Sequence, residues 1–185
     1  MEDLRAEQAP VDFKKEGLKY GLLNGILGLC LMYGTYYIGF DAFTKMQFIG
    51  RFIPYMMLIL ILAGLQIRKR NGGYLPFKDA IKFTFLSYVI SSLLIAIGTY
   101  VLFAVIDKGL TERLFQAGIE KTRLMMETMN APKEEMDKLA KQAASGPTDT
   151  SLKTIFLGLG QDLILNFVLS MLVSIIIRKE KPVLN

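Results

Sequence analysis

Two residues, Arg51 and Asp162, carry full charges inside stretches that are otherwise almost wholly apolar. A charge in such surroundings costs about 2.5–3.5 kcal/mol on insertion scales, so it faces a partner, a cavity or an interface. Arg51 lies 17 residues from the basic edge marked by Arg68, and Asp162 lies 16 from Arg178. At 1.5 Å per helical residue these are depths of about 25 Å and about 24 Å. The match predicts an Arg51–Asp162 ion pair in the outer third of a helix bundle, with Gln161, Thr99 or Tyr100 nearby. Such a pair either fixes how two helices pack, or lines a polar cavity that opens outward to bind a solute or relay protons. In a third arrangement Arg51 snorkels to the interface and leaves Asp162 to water.

Asn166, Ser170 and Ser174 follow Asp162 at every fourth residue, a polar stripe that precesses about 40° per step on a helix. Asn24 matches Ser170 in depth by the same count. Thr84, Ser87, Ser91 and Ser92 form a hydroxyl stripe of their own. Hydroxyls in apolar helices often bond only to their own backbone, so that stripe does not imply a cavity. The chain has no histidine, which excludes imidazole acid–base chemistry and His-ligated metals. The one cysteine, Cys30, lies in an apolar run; it forms no intrachain disulfide and reads as a small buried apolar residue. No G-x-S-x-G, His/Glu metal motif or paired carboxylates occur in the apolar runs, so neither enzyme activity nor a cofactor is expected.

The elements that must position these residues are four long apolar runs, at 22–40, 52–67, 83–106 and 155–177. Each approaches the roughly 20 residues that cross a bilayer. A soluble helix of this length would carry Lys and Glu on a polar stripe; these carry Ser, Thr, Asn and Gly. With 52% apolar residues in a chain of 185, the expected partner is the lipid bilayer. The net charge of +5 sits beside the apolar runs rather than on a separate face with interleaved aromatics, so no nucleic acid is expected.

In chain order, residues 1–16 read as a polar, mobile tail, acidic at its start and unlike a signal peptide, so the first span is expected to stay in the mature chain. Residues 17–106 hold spans 1–3. On span 1, Gly17, Gly21, Gly25 and Gly28 fall on one side with Asn24, a seam that admits a second helix of the same chain at backbone distance. A short outer connection at 41–50 leads to span 2, with Pro54 in its first turns. A basic reversal follows, where Arg68, Lys69, Arg70, Lys78 and Lys82 face one acid, Asp79. In it Asn71, Gly72 and Gly73 supply the turn. Residues 107–150 form an extracytoplasmic helical insert, with one helix from Thr111 to Met129 and another from Pro132 to the Gly146–Pro147 stop. Span 4 occupies 151–179 and a cytoplasmic tail 180–185. Basic residues at 14–19, 68–82 and 178–181 all fall on the inner side of such a path, which places both termini in the cytoplasm.

The order of a Gly-rich first span, the stretch RKRNGGYLPFKDAIKF, a polar helical insert and a last span with a basic end resembles the domain of unknown function 4199 family. These are small four-span membrane proteins of Bacteroidetes, and the resemblance runs over about 13–181. It implies an all-α, integral membrane four-helix bundle in the bacterial inner membrane and brings no activity. The leading reading is a non-enzymatic membrane accessory acting through a protein partner or a second copy, using the insert or the Gly seam. The alternative is a small, dimeric solute transporter or binding protein built around Arg51 and Asp162. A water-filled cleft reaching both Asp162 and Asn166 favours the second, and a dry packed bundle the first.

Overall fold

The computed structural model describes residues 11–49, 54–146 and 152–181, and among them the regular structure is helical throughout. Seven α-helices follow in order: α1 Phe13–Ile38, α2 Phe40–Ile49, α3 Tyr55–Arg70, α4 Phe77–Tyr100, α5 Leu110–Thr128, α6 Lys133–Ser145 and α7 Leu152–Ile177. A π-helical turn, Val101–Ile106, extends α4. Three helices are long and apolar enough to cross a membrane: Phe13–Ile38, Phe77–Ile106 and Leu157–Ile177. Only 17%, 17% and 22% of their apolar windows are buried inside the protein. Residues such as Ile26, Leu62, Ile97, Ile164 and Leu165 point outward instead. An apolar exterior of that extent is stable only against lipid or another apolar surface.

Packing is organised by α4, which lies along both α1 and α7, while α3 closes the group against α7 and α1. Ser87 Oγ donates to Gly17 O and Ser91 Oγ to Gly21 O, a constant offset that makes α1 and α4 parallel. Thr84 pairs with Ser174 and Ser92 with Asn166, so α7 runs antiparallel to α4. The start of α1, the end of α3, the start of α4 and the end of α7 therefore share one end. That end is tied by Glu16–Arg70 at 2.8 Å, by Arg68 Nη1 donating to Ile177 O at 3.3 Å, and by a two-way backbone bridge between Leu75 and Lys179, 2.8 Å each way. Phe77 N–H donates to the Glu180 carboxylate beside it at 2.9 Å. The core at this end contains Leu60, Ile67, Leu75, Phe83, Val173 and Ile177.

At the opposite end Phe43, Leu102 and Leu110 form a second core. The Asp107 carboxylate accepts from Tyr36 Oη at 3.1 Å and from Arg113. Arg113 also stacks over Phe40, which seats the start of α5 on the α1–α2 corner. Farther along α5, Arg123 bridges Glu120 and Glu127, and its hydrogen bond holds the exposed Glu120 carboxyl below the usual range.

Several boundaries differ from the sequence expectation. Residues 13–16, assigned to the tail, open α1, because Asp12 caps the helix by accepting from Lys14 N and Lys15 N and Glu16 pairs with Arg70. The connection expected at 41–50 is mostly the helix α2, held by burial of Phe43; Gly39, at φ 144°, breaks it from α1. Thr111 is not the N-cap of α5, since the helix starts at Leu110 behind Gly109. Cys30 is exposed, not buried, because it sits on the side of α1 away from the glycine seam. The basic turn has the expected form, with Gly72 at φ 69° and Gly73 at φ 86°, and Asn71 Nδ2 donating to Tyr74 O.

Candidate functional site

The four seam glycines meet α4. A Cβ at Gly21 would lie 2.8 Å from Ile90 Cβ and 2.9 Å from Ser87 O, and one at Gly25 would lie 2.7 Å from Leu94 Cδ1. Gly17 faces Phe83 and Leu86, and Gly28 faces Ile95 and the Tyr55 hydroxyl. Ser87 and Ser91 use the bare backbone that the glycines expose, each splitting its hydrogen bonding between an α1 carbonyl and its own helix. The cross-helix role of these serines was missed from sequence. The available signal was that their spacing equals that of Gly17 and Gly21.

The polar stripe of α7 faces α4 along its length. Ser174 and Ser170 are fully buried, with Thr84 Oγ1 2.9 Å from Ser174 Oγ and donating to Ser170 O at 3.2 Å. One to two turns outward Asn166 Nδ2 donates to Ser92 Oγ at 2.7 Å. Asp162, Asn166, Ser92 and Thr99 line a cleft of about 420 Å³ together with Met56, Ile95, Leu159 and Leu169. A second cavity of about 240 Å³ lies across α4 and shares Ile95 and Thr99 with the first; Met32, Phe43, Gln47 and Tyr55 are among its walls. Asn24, the remaining member of the stripe, is fully buried on α1.

Arg51 lies outside the described residues, and with it the Arg51–Asp162 pair. Thr99 does lie near Asp162, as part of the same cleft wall. The cleft is lined by a carboxylate, an amide and two hydroxyls beside apolar side chains, with the Asn166 amide and the Ser92 hydroxyl bonded to each other and the Thr99 hydroxyl directed at Met32 Sδ. Those groups suit orientation of a ligand with a polar head and an apolar body. Among the described residues no group of three His, Cys, Asp or Glu side chains could hold a metal ion.

The fold and this arrangement define a helical protein of membrane type with a polar cleft between apolar helices. The chain belongs to the family described as Protein of unknown function (DUF4199), whose family model matches residues 19–179. No curated protein and no solved structure gave a match.

Proposed function

We propose that this chain is a four-span protein of the bacterial inner membrane that binds a small solute in the cleft between α3, α4 and α7. The fourth span is α3, whose 16 described residues would reach about 24 Å. Support for the orientation comes from charge. Lys14, Lys15, Lys19, Arg68, Lys69, Lys78, Lys82, Arg178 and Lys179 lie on segments that meet at one end, which the positive-inside rule assigns to the cytoplasm. Both termini then face the cytoplasm, and α5–α6 is the extracytoplasmic insert. The cleft opens in the outer half.

The observation that carries solute binding is the joint presence of Asp162 and Asn166 in one cavity with Ser92 and Thr99. The groups lining it, a carboxylate, an amide and hydroxyls beside apolar side chains, suit holding a ligand with a polar head and an apolar body. A second reading, association with a partner protein or a second copy, is supported by Leu124, Met125 and Met129, which are 50%, 59% and 73% exposed on α5. The same residues suit the headgroup layer of the protein's own membrane, so they argue less specifically.

Cysteine accessibility tests the cleft. In a Cys30→Ser background, Asp162→Cys and Asn166→Cys are expected to react with a charged, membrane-impermeant thiosulfonate added outside. Ile164→Cys, on the outward apolar face, is expected to stay unreactive. Reaction of all three at the same slow rate would mean a dry cleft and would remove the basis for solute binding.

A further inference from the structure

Charge is balanced at one end of the molecule and not at the other. Residues 107–145 carry seven basic and seven acidic side chains. They pair among themselves through Arg113–Asp107, Arg123–Glu120, Arg123–Glu127 and Lys138–Glu134. At the opposite end, residues 12–19, 68–82 and 178–181 carry eleven basic side chains against four acidic ones. Those four are already engaged. Asp12 accepts from Lys14 N and Lys15 N, Glu16 pairs with Arg70, Asp79 pairs with Lys82, and Glu180 accepts from Phe77 N. Among the described residues, Arg70 and Lys82 are thus the only two of the eleven with a carboxylate partner.

The positive-inside rule accounts for the sign of that end, but it supplies no counter-charge. The outward side of α1 shows what can. Lys15, Lys19, Leu22, Leu23 and Ile26 are all exposed. At 100° per residue they fall within an arc of about 100°, opposite the glycine seam. The two lysines stand one turn apart at the basic end. Lys19 Nζ lies over the Tyr20 ring, 5.4 Å from its centroid, a contact that leaves its charge uncompensated. Beyond the lysines the stripe is wholly apolar. From Lys15 to Ile26 it runs about 16 Å, close to half of the roughly 30 Å hydrocarbon thickness and so the depth of one leaflet. A merely solvated basic face would not continue into exposed leucine and isoleucine, and a partner in the cytoplasm would reach the lysines but not Ile26. We propose that this face of α1 seats an anionic phospholipid of the cytoplasmic leaflet, with its phosphate against Lys15 and Lys19 and an acyl chain along Leu22 and Ile26. The seat rests on the inner-membrane assignment proposed above and is independent of the cleft.

Native mass spectrometry of the full chain, released from nanodiscs of phosphatidylglycerol and phosphatidylcholine in equal parts, reads which lipid stays bound. Phosphatidylglycerol is expected to be retained in excess, by a factor of about five for each lysine engaged. With Lys15→Gln and Lys19→Gln together, that excess is expected to fall about five-fold or more. Lys69→Gln with Lys78→Gln removes the same charge from other exposed positions at the same end and is expected to leave the excess nearly unchanged. All four lysines are exposed, so neither pair of changes disturbs the core. Equal retention of the two lipids by the unaltered chain overturns the proposal. So does an equal fall in both double variants, which would mean diffuse attraction by the whole basic end. A chain that does not enter nanodiscs of either lipid would overturn the membrane assignment itself, and the seat with it.

Discussion

Gly21→Ile is expected to force α1 away from α4 and to lower the thermal midpoint of the purified protein more than any other single seam substitution. The first added carbon already lies 2.9 Å from a backbone oxygen and 2.8 Å from Ile90 Cβ. Neither can swing aside without moving α4. Overpacking of this kind costs about 1–3 kcal/mol, and separation of the helices also strains the Ser91–Gly21 hydrogen bond. Helix propensity works the other way, since replacing a mid-helix glycine recovers about 0.5–1 kcal/mol. The clash wins because it is with backbone. Gly34 on the same helix has nothing within 4 Å of its Cβ position; Gly34→Ala is therefore expected to be neutral or slightly stabilising. Thermal unfolding of the two variants in one detergent checks the pair.

Leu75→Ala is expected to be the most damaging change outside the spans, at about 2–5 kcal/mol, the range for emptying a filled core site. Leu75 lies in the short connection between α3 and α4, yet it is 0% exposed. Its side chain fills the core at the basic end, while its N–H and C=O both bond to Lys179. One residue thus holds the α3–α4 reversal and the end of α7 together. Leu62, 63% exposed on α3, supplies the control: Leu62→Ala is expected to stay within about 0.5 kcal/mol. Midpoints that fall equally for both would mean that Leu75 is not a core residue in the folded protein.

The apolar runs at 22–40, 83–106 and 155–177, the glycine seam and the Asn71–Gly73 reversal were legible because each follows from one property of the local sequence. Those properties are hydropathy over 20 residues, a four-residue repeat, and positions that need positive φ. Leu75 was not legible, since a leucine in a loop looks like an interface anchor until α7 is known to end beside it. α2 was missed for a similar reason. Its helix is anchored by Phe43 packing on Leu102 and Leu110, partners some sixty residues away that no local pattern reveals. Within the candidate site, the stripe of Asp162, Asn166, Ser170 and Ser174 was visible as a period. Its division was not: Ser170 and Ser174 are sealed against Thr84, whereas Asp162 and Asn166 line a cavity. That division depends on which neighbours pack against each turn of α7, which is a property of the tertiary fold.

The claim beneath all of this is that lipid surrounds the apolar helices and that their shared basic end lies in the cytoplasm. Paired reporter fusions measure it most directly, with green fluorescent protein after Asn185 and alkaline phosphatase inserted in the α5–α6 connection at Asn130. A fluorescent C-terminus together with phosphatase activity outside the inner membrane is the predicted result. Phosphatase that stays inactive at Asn130, or a dark C-terminal fusion that turns active when exchanged for phosphatase, would contradict it.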